Sequence, residues 1–207
     1  MDTLKCRVCD QTDFEMILDL GDQPWGNGFI RPEDISLEKA YPLRLVYCTA
    51  CSTSQLDVTI PKEEMFIEHT YLSGTTTTLQ KHFEELARKV HNQFLLEKKS
   101  PRILDIGSND GTQLLEYQKF NCEVLGVESA TYVTEVAIQN GVKTMNAFFN
   151  LETAQKINTK FDVINASGVF FHLEELHSVC EGIKLVLDSD GVFVVQFIYM
   201  KLMQDNT

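Results

Sequence analysis

The stretch Arg102–Gly111, which reads RILDIGSNDG, decides the fold of the sequence around it. Ile103–Ile106 is a short, largely apolar run of the kind that forms a buried strand. Gly107 and Gly111 then bracket a tight turn, and Thr112–Glu116 reads as the first turns of a helix. A strand that passes through a glycine turn into a helix is how α/β folds bind nucleotide-like ligands at the carboxyl end of a strand.

Two acidic side chains indicate which ligand this turn takes. Asp105 lies inside the strand, where the dinucleotide fingerprint is normally apolar, and a carboxylate there suits a ligand that carries an ammonium group. The glycine spacing is G-x-x-x-G and not G-x-G-x-x-G, which weakens a pyrophosphate interpretation. The next apolar run, 122–128, ends in Glu128, which can accept hydrogen bonds from both hydroxyls of a ribose. The alternative is a plain strand–turn–helix in which Asp110 caps the helix.

Four cysteines near the N-terminus form two C-x-x-C pairs. Cys6 and Cys9 make the first pair, and Cys48 and Cys51 make the second. Two such turns supply four thiolates, which is the ligand set of a closed tetrahedral zinc site. Two disulfides and a redox-active C-x-x-C are the alternatives. The remaining cysteines, Cys122 and Cys180, lie in apolar surroundings and are predicted to be buried core thiols.

Composition limits the class of protein and its partners. The 207 residues are 43% hydrophobic, which suffices for a packed core. A formal net charge of −12 argues against nucleic acid and anionic membranes as partners. No signal peptide precedes Cys6 and no apolar run could span a bilayer, so we expect a cytoplasmic protein with reduced thiols.

Patterns elsewhere in the chain predict the remaining elements. Thr75–Glu97 is expected to be a helix, with Leu79, Phe83, Leu86, Val90 and Phe94 on its buried face. Residues 18–29 contain turn-forming Gly and Pro, and Trp25 and Phe29 there are expected to pack over the metal module. Residues 43–47 and 56–60 are predicted strands. Beyond residue 101 strands and helices alternate, which predicts a parallel α/β sheet of five strands, with helices at 112–120, 130–140 and 173–187.

Strand, glycine turn, helix and second acid together resemble the class I S-adenosylmethionine-dependent methyltransferases. A four-cysteine zinc module, an L-G-x-Q-P-x-x-N-x-F segment at Leu20–Phe29 and D-I-G-S-N-D-G at Asp105–Gly111 are similar to one subfamily. That subfamily is the sugar C-methyltransferases, which build branched deoxysugars and act on nucleotide-linked keto-deoxysugars. The resemblance runs from Cys6 to the end of the chain.

The resemblance implies a role for individual residues. Asp105 would hold the methionine ammonium group and Glu128 the ribose. Tyr71, in a Y-x-S-G segment, would border the reaction centre, and His172, in a V-F-x-H segment, would face the sugar. An amphipathic interdomain tyrosine and a helix-capping or core histidine are the alternatives. The other expected cofactor contacts are Gly107, Asn109, Gly111, Ala147, Phe148 and Asn165.

The expected reaction is methyl transfer from S-adenosylmethionine to a sugar carbon beside a ketone, with zinc in a structural role. An O- or N-methyltransferase and a non-catalytic zinc-binding interaction protein are the other classes that the sequence leaves open. We expect a zinc-binding domain at 1–62, a connecting segment and helix at 63–100, and a Rossmann-like domain at 101–207. Seven strands and a Glu-His pair are typical of the resembled enzymes, whereas these 207 residues supply five strands and end before such a pair. We therefore expect an incomplete sheet that self-associates or is completed by a second chain.

Overall fold

The computed structural model describes residues 4–26 and 30–199, and the chain divides into two compact units, Met1–Pro61 and Lys62–Thr207. The first unit holds an antiparallel sheet in the order β1-β2-β3. Its strands are β1 (Phe14–Pro24), β2 (Ala40–Cys48) and β3 (Ser54–Leu56), with a 3-10 turn at Pro32–Leu37.

Strand β1 corrects the prediction of turns in this region. The Gly- and Pro-containing residues up to Pro24 lie in a strand, because most of them pair with β2. Two irregularities interrupt the pairing, one after Met16 and one between Asp19 and Asp22, and Gly21 in the second has a left-handed φ of +68°. Phe29 lies outside the described residues, and Trp25 is half-buried.

The strand predicted at residues 56–60 is also corrected, because the paired segment is Ser54–Leu56 and ends where the prediction began. After Leu56 the chain leaves the sheet. Asp57 then forms an ion pair with Arg44, with 2.7 Å between Nε and Oδ2. The strand pairing ends here, because the Asp57 side chain is held by Arg44 and Pro61 follows.

The second unit is a five-stranded parallel sheet in the order β6-β5-β4-β7-β8. Its strands are β4 (Arg102–Ile106), β5 (Glu123–Glu128), β6 (Thr144–Asn146), β7 (Phe161–Ser167) and β8 (Leu187–Gln196). Its helices are α1 (Lys62–Phe66), α2 (Thr77–Val90), α3 (Thr112–Gln118), α4 (Thr131–Gln139), α5 (Leu151–Ile157) and α6 (Leu176–Val186), with short turns at Ser73–Thr75, His91–Leu95 and Phe170–His172. The strand order reverses at β4, and such a switch point opens a crevice at the carboxyl ends of the strands.

The predicted parallel α/β sheet is confirmed, but helix α5 was not predicted. Asn150 begins α5 by accepting a hydrogen bond from the backbone N–H of Thr153 at 3.0 Å. An Asn at the N-cap followed by an acidic residue, Glu152, in the first turn is a helix-start pattern that could have revealed this helix.

Helices cover both faces of this sheet. Ala154 of α5 and Ile183 of α6 pack on one face, together with Leu104 of β4. Leu114 of α3 packs on the other face with Ile103. Since side chains alternate along a strand, Asp105 projects to the same face as Ile103, toward α3.

Two predicted core positions are corrected. Phe94 is 42% exposed and Leu95 is buried in its place, because a π turn at His91–Leu95 follows α2 and shifts the apolar face by one residue. Cys180 is exposed, since the buried face of α6 passes through Val179 and Ile183. Cys122 is buried as predicted, and burial raises its pKa to about 11. Among the described residues, every helix is too short or too polar to cross a membrane.

Candidate active site

The glycine turn after β4 leaves no room for side chains at its two ends. Gly107 and Gly111 have φ values of +68° and +81°, a backbone region that favours glycine. A Cβ on Gly107 would lie 2.9 Å from a methyl group of Val169, and one on Gly111 would lie 2.7 Å from a methyl group of Val142. The turn is therefore packed closely between the segments that follow β7 and α4.

Asp105 is a buried carboxyl group with one oxygen that lacks a partner. The residue is 2% exposed, and its Oδ1 makes no hydrogen bond within the described part of the chain. Desolvation raises the pKa of Asp105 well above its usual range, and the charge of Glu128 adds to this effect. A cationic group of a ligand would supply both the missing partner and the missing counter-charge.

Glu128, the last residue of β5, joins this strand to the glycine turn through its side chain. Its Oε2 accepts a hydrogen bond from the backbone N–H of Asn109 at 3.0 Å, and its Oε1 accepts one from Ala130 at 2.9 Å. Oε1 also accepts from the hydroxyl of Ser129 at 3.5 Å. An ionised carboxylate offers about two acceptor sites on each oxygen, so Oε2 can still accept from a ligand hydroxyl. This geometry suits the ribose contact predicted for Glu128.

Ala147 and Phe148 follow β6 at the same end of the sheet. The backbone N–H of Ala147 donates to the carbonyl oxygen of Glu128 at 2.9 Å, which fixes the segment beside the end of β5. Phe148 is half-buried, and the ammonium group of Lys62 lies 5.1 Å from its ring centroid. Lys62 also forms an ion pair with Glu175, whose pKa it lowers through that hydrogen bond. An apolar ring beside the acidic end of β5 is a suitable platform for adenine.

The segment that contains Tyr71 is joined to the glycine turn by hydrogen bonds. The side-chain amide of Asn109 donates to the carbonyl oxygen of Tyr71 at 2.9 Å and accepts from the backbone N–H of Ser73 at 2.7 Å. The backbone N–H of Gly74 donates to Oδ2 of Asp110 at 2.8 Å. Both polar groups of the Asn109 side chain are therefore engaged with the protein, while the phenol-bearing Tyr71 is 49% exposed.

His172 lies in a 3-10 turn after β7, at the carboxyl end of the strand next to β4. Its ring centroid is 4.3 Å from that of Phe171 and 5.9 Å from that of Phe66. The residue is exposed, yet desolvation beside these rings lowers its pKa below the usual value. A neutral imidazole at pH 7 can accept a proton.

Two buried polar side chains of α3, Gln113 and Tyr117, were missed by the sequence prediction, and Tyr117 contacts the predicted Asn165. The hydroxyl of Tyr117 donates to Oδ1 of Asn165 at 3.2 Å, while Nδ2 of Asn165 and both amide atoms of the buried Gln113 have no hydrogen-bond partner in the described chain. Gln113 and Tyr117 are one turn apart on α3 and share a face. A carboxylate within a strand, Asp105, was the signal that this face of α3 would be polar.

The first unit brings its four cysteines together. Their Sγ atoms all lie within 4.8 Å of one another, and the Cys6–Cys51 and Cys9–Cys48 pairs are separated by 3.5 and 3.6 Å. A tetrahedral zinc ion with Zn–S bonds of about 2.3 Å requires S–S separations of about 3.8 Å. These thiols therefore fit zinc and are not disulfides, and four thiolates leave no open position for catalysis.

Comparison with known families assigns a class to both parts of the chain. Residues 6–66 match a family described as "Putative zinc binding domain", and residues 79–200 match one described as "Methyltransferase domain". Since the second match covers more than half of the chain, the protein belongs to the methyltransferase-domain family. The prediction of a class I S-adenosylmethionine-dependent methyltransferase with an N-terminal zinc-binding module is thereby confirmed.

One curated relative matches both modules. The chain is 26% identical to the C-methyltransferase NovU of Streptomyces niveus over 207 residues, which is 98% of this chain and 49% of NovU. This chain thus spans about half the length of that relative.

Solved structures align with part of this chain. The plantazolicin methyltransferase BpumL, in complex with a pentazolic desmethylPZN analog and SAH, aligns with a TM-score of 0.51 at 19% identity, over 62% of this chain and 51% of that one. The PH0226 protein of Pyrococcus horikoshii OT3 aligns with a TM-score of 0.49 at 17% identity, over 72% of this chain and 67% of that one.

Proposed function

We propose that this chain belongs to an enzyme that transfers the methyl group of S-adenosylmethionine to a carbon beside the ketone of a nucleotide-linked keto-deoxysugar. The observation that carries this proposal is the match to a C-methyltransferase over 98% of the chain, through both the zinc module and the methyltransferase unit. The proposal of a sugar substrate rests on the resemblance of the sequence to the sugar C-methyltransferases.

The geometry at the carboxyl ends of β4, β5 and β6 supports the cofactor assignment. Asp105 offers a buried oxygen without a partner among the described residues to the methionine ammonium group, and Oε2 of Glu128 offers a free acceptor site to the ribose. Phe148 offers the face of its ring to adenine. When bound, S-adenosylmethionine supplies an electrophilic methyl group that needs only alignment with the attacking carbon.

A carbon beside a ketone becomes a nucleophile only when it loses a proton, so the site must supply a base and stabilise the enolate. His172, whose pKa is lowered by desolvation, is neutral at pH 7 and is the proposed proton acceptor. Tyr71, exposed beside the glycine turn, can donate a hydrogen bond from its phenol to the enolate oxygen.

Two measurements test this proposal. Calorimetry should detect binding of S-adenosylmethionine and not of NAD. In D2O with S-adenosylhomocysteine present, the protein should exchange the proton beside the ketone of a nucleotide-linked keto-deoxysugar. His172→Asn should slow this exchange by roughly 100-fold or more, as for loss of a general base. His177→Asn, on the following helix, is the matched control and should leave the rate unchanged.

Product analysis separates the proposed reaction from its alternatives. Labelled S-adenosylmethionine should place the methyl group on carbon. A label found on oxygen or nitrogen, or proton exchange that is the same in His172→Asn as in the wild type, would contradict the proposal.

A further inference from the structure

Asn109 and Asp110 hold two different parts of the second unit at once. Toward the sheet, the backbone N–H of Asn109 donates to Glu128 at the end of β5. Toward α3, Oδ1 of Asp110 accepts hydrogen bonds from the backbone N–H and the hydroxyl of Thr112 at 3.2 and 2.7 Å. Toward the segment Tyr71–Gly74, the same two side chains make the three hydrogen bonds described above. Asp110 is only 3% exposed, so its hydrogen bond to Gly74 is partly shielded from water, whereas the hydrogen bond from Asn109 to Tyr71 is exposed.

The fit at Gly74 shows how closely the two parts pack. A Cβ on Gly74 would lie 2.7 Å from Oγ1 of Thr112 and 2.9 Å from Oδ2 of Asp110. The hydroxyl of Thr75 donates to the carbonyl oxygen of Leu72 at 2.7 Å, which closes the segment into a compact turn. The segment therefore has one position on the glycine turn, and a side chain at residue 74 would displace it.

We propose that Asn109 and Asp110 are positioning residues that fix Tyr71 relative to the cofactor-binding turn. This inference rests on the proposed function, because it assumes that the glycine turn binds S-adenosylmethionine. Asn109 uses its side chain for the Tyr71 segment and its backbone N–H for Glu128, so a change in the turn on cofactor binding is transmitted to Tyr71. The Y-x-S-G and S-N-D-G motifs then act together, because the second holds the first in position through hydrogen bonds.

Two variants of Ser73 test the hydrogen bond to Asn109 without disturbing the backbone conformation of the turn. Ser73 begins a 3-10 turn, and the preceding Leu72 is extended at φ −116° and ψ 121°, which is the conformation required before proline. Ser73→Pro therefore suits the backbone, removes the N–H that donates to Asn109 and displaces the Asn109 amide. Ser73→Ala removes the hydroxyl but keeps this N–H, and it is the matched control.

A second pair tests the same connection from the other side. Asn109→Asp replaces the amide that donates to Tyr71 with an acceptor, and Asp tolerates the left-handed φ of +51° at this position. Asn121→Asp is its control, because Asn121 is exposed in a turn with a similar φ of +57°.

The readouts are hydrogen exchange of residues 69–76 and the fluorine resonance of Tyr71 in fluorotyrosine-labelled protein, assigned with Tyr71→Phe. Both are measured with and without S-adenosylhomocysteine. In the wild type and both controls, this ligand should slow exchange and shift the Tyr71 resonance. In Ser73→Pro and Asn109→Asp, exchange with ligand present should be roughly two- to tenfold faster, as for the loss of one hydrogen bond, and the shift should disappear.

The outcomes distinguish this inference from the proposed function. If the wild type does not bind S-adenosylhomocysteine, the cofactor assignment fails and the inference fails with it. If the ligand binds all variants but Ser73→Pro and Asn109→Asp respond like their controls, the positioning role alone is overturned.

Discussion

At the scale of single residues, Asp105 combines a cost to stability with a capacity to bind. Its carboxyl group is buried without a counter-charge among the described residues, so desolvation raises its pKa in the folded state above the unfolded value of about 3.9. The folded state therefore holds a proton that the unfolded state releases. The contribution of this group to stability falls as the pH rises from the usual aspartate range through the raised pKa.

Asp105→Asn should therefore stabilise the ligand-free protein at pH 7, because an amide costs less to bury than a carboxylate. We expect a rise of a few degrees in Tm, since about 1 kcal/mol corresponds to roughly 2–4 °C for a chain of this size. Thermal unfolding at pH 5 and pH 8 measures it, and the gain should be larger at pH 8. Asp188→Asn, at the opposite end of the sheet, is the control. A variant that is less stable than wild type at pH 8 would show that Asp105 already has a partner.

The same substitution should weaken ligand binding. Loss of a hydrogen bond to a charged group should cost about 1.5–3 kcal/mol in affinity for S-adenosylmethionine. Because the ligand ammonium requires the ionised carboxylate, wild-type affinity should increase as the pH rises from 6 to 8, whereas the affinity of Asp105→Asn should stay flat. Calorimetry at the two pH values measures both effects, and equal affinities for the two proteins would refute the assignment of Asp105.

At the scale of structural elements, the first unit depends on its metal. Its sheet is small, and the only cysteines it contains within the described residues are the four that converge on one point. So small a module has little core of its own, and metal binding supplies folding free energy.

Replacing any of Cys6, Cys9, Cys48 and Cys51 by serine should unfold this unit and abolish binding of one zinc ion per chain. Elemental analysis of reduced protein gives the metal content, and hydrogen exchange of residues 14–56 gives the state of the sheet. Cys180→Ser is the control, because that thiol is exposed and is not among the four. Freshly purified reduced protein without zinc would disprove the prediction.

At the scale of the whole molecule, β8 lies at the edge of the described sheet. Phe193 packs edge-on against Phe170 with 5.5 Å between ring centroids, but Phe197 is 55% exposed and Ile198 is 63% exposed. An unpaired edge with exposed apolar side chains is a site for association with another strand.

We therefore predict that this polypeptide self-associates with increasing concentration. Sedimentation velocity over a concentration series should show species larger than a monomer, and the double variant Phe197→Lys and Ile198→Lys should shift the distribution toward monomer. Leu185→Lys, which changes an exposed leucine on α6, should leave the distribution unaltered. A wild-type chain that stays monomeric throughout would contradict the prediction.

Several features were predictable from the sequence because they depend on neighbours along the chain. The C-x-x-C spacing, the glycine turn and the alternation of apolar strands with helices are local patterns, and they predicted the zinc module and the parallel sheet. The prediction of turns failed where pairing with a neighbouring strand outweighed the local preference of Gly and Pro for turns. Residues 18–24 read as turns but form part of β1, because β2 pairs with residues 18–19 and 22–24 on both sides of an irregularity.

Only the tertiary structure decided how distant motifs meet. Asn109 and Asp110 are separated from Ser73 and Gly74 by 36 residues, and no periodicity relates the two segments. Their hydrogen bonds exist because α2 packs on α3 and returns the chain to the end of β4. The sequence by itself therefore determined the class of protein and the four clustered cysteines, whereas the position of Tyr71 depends on contacts that only the folded chain can form.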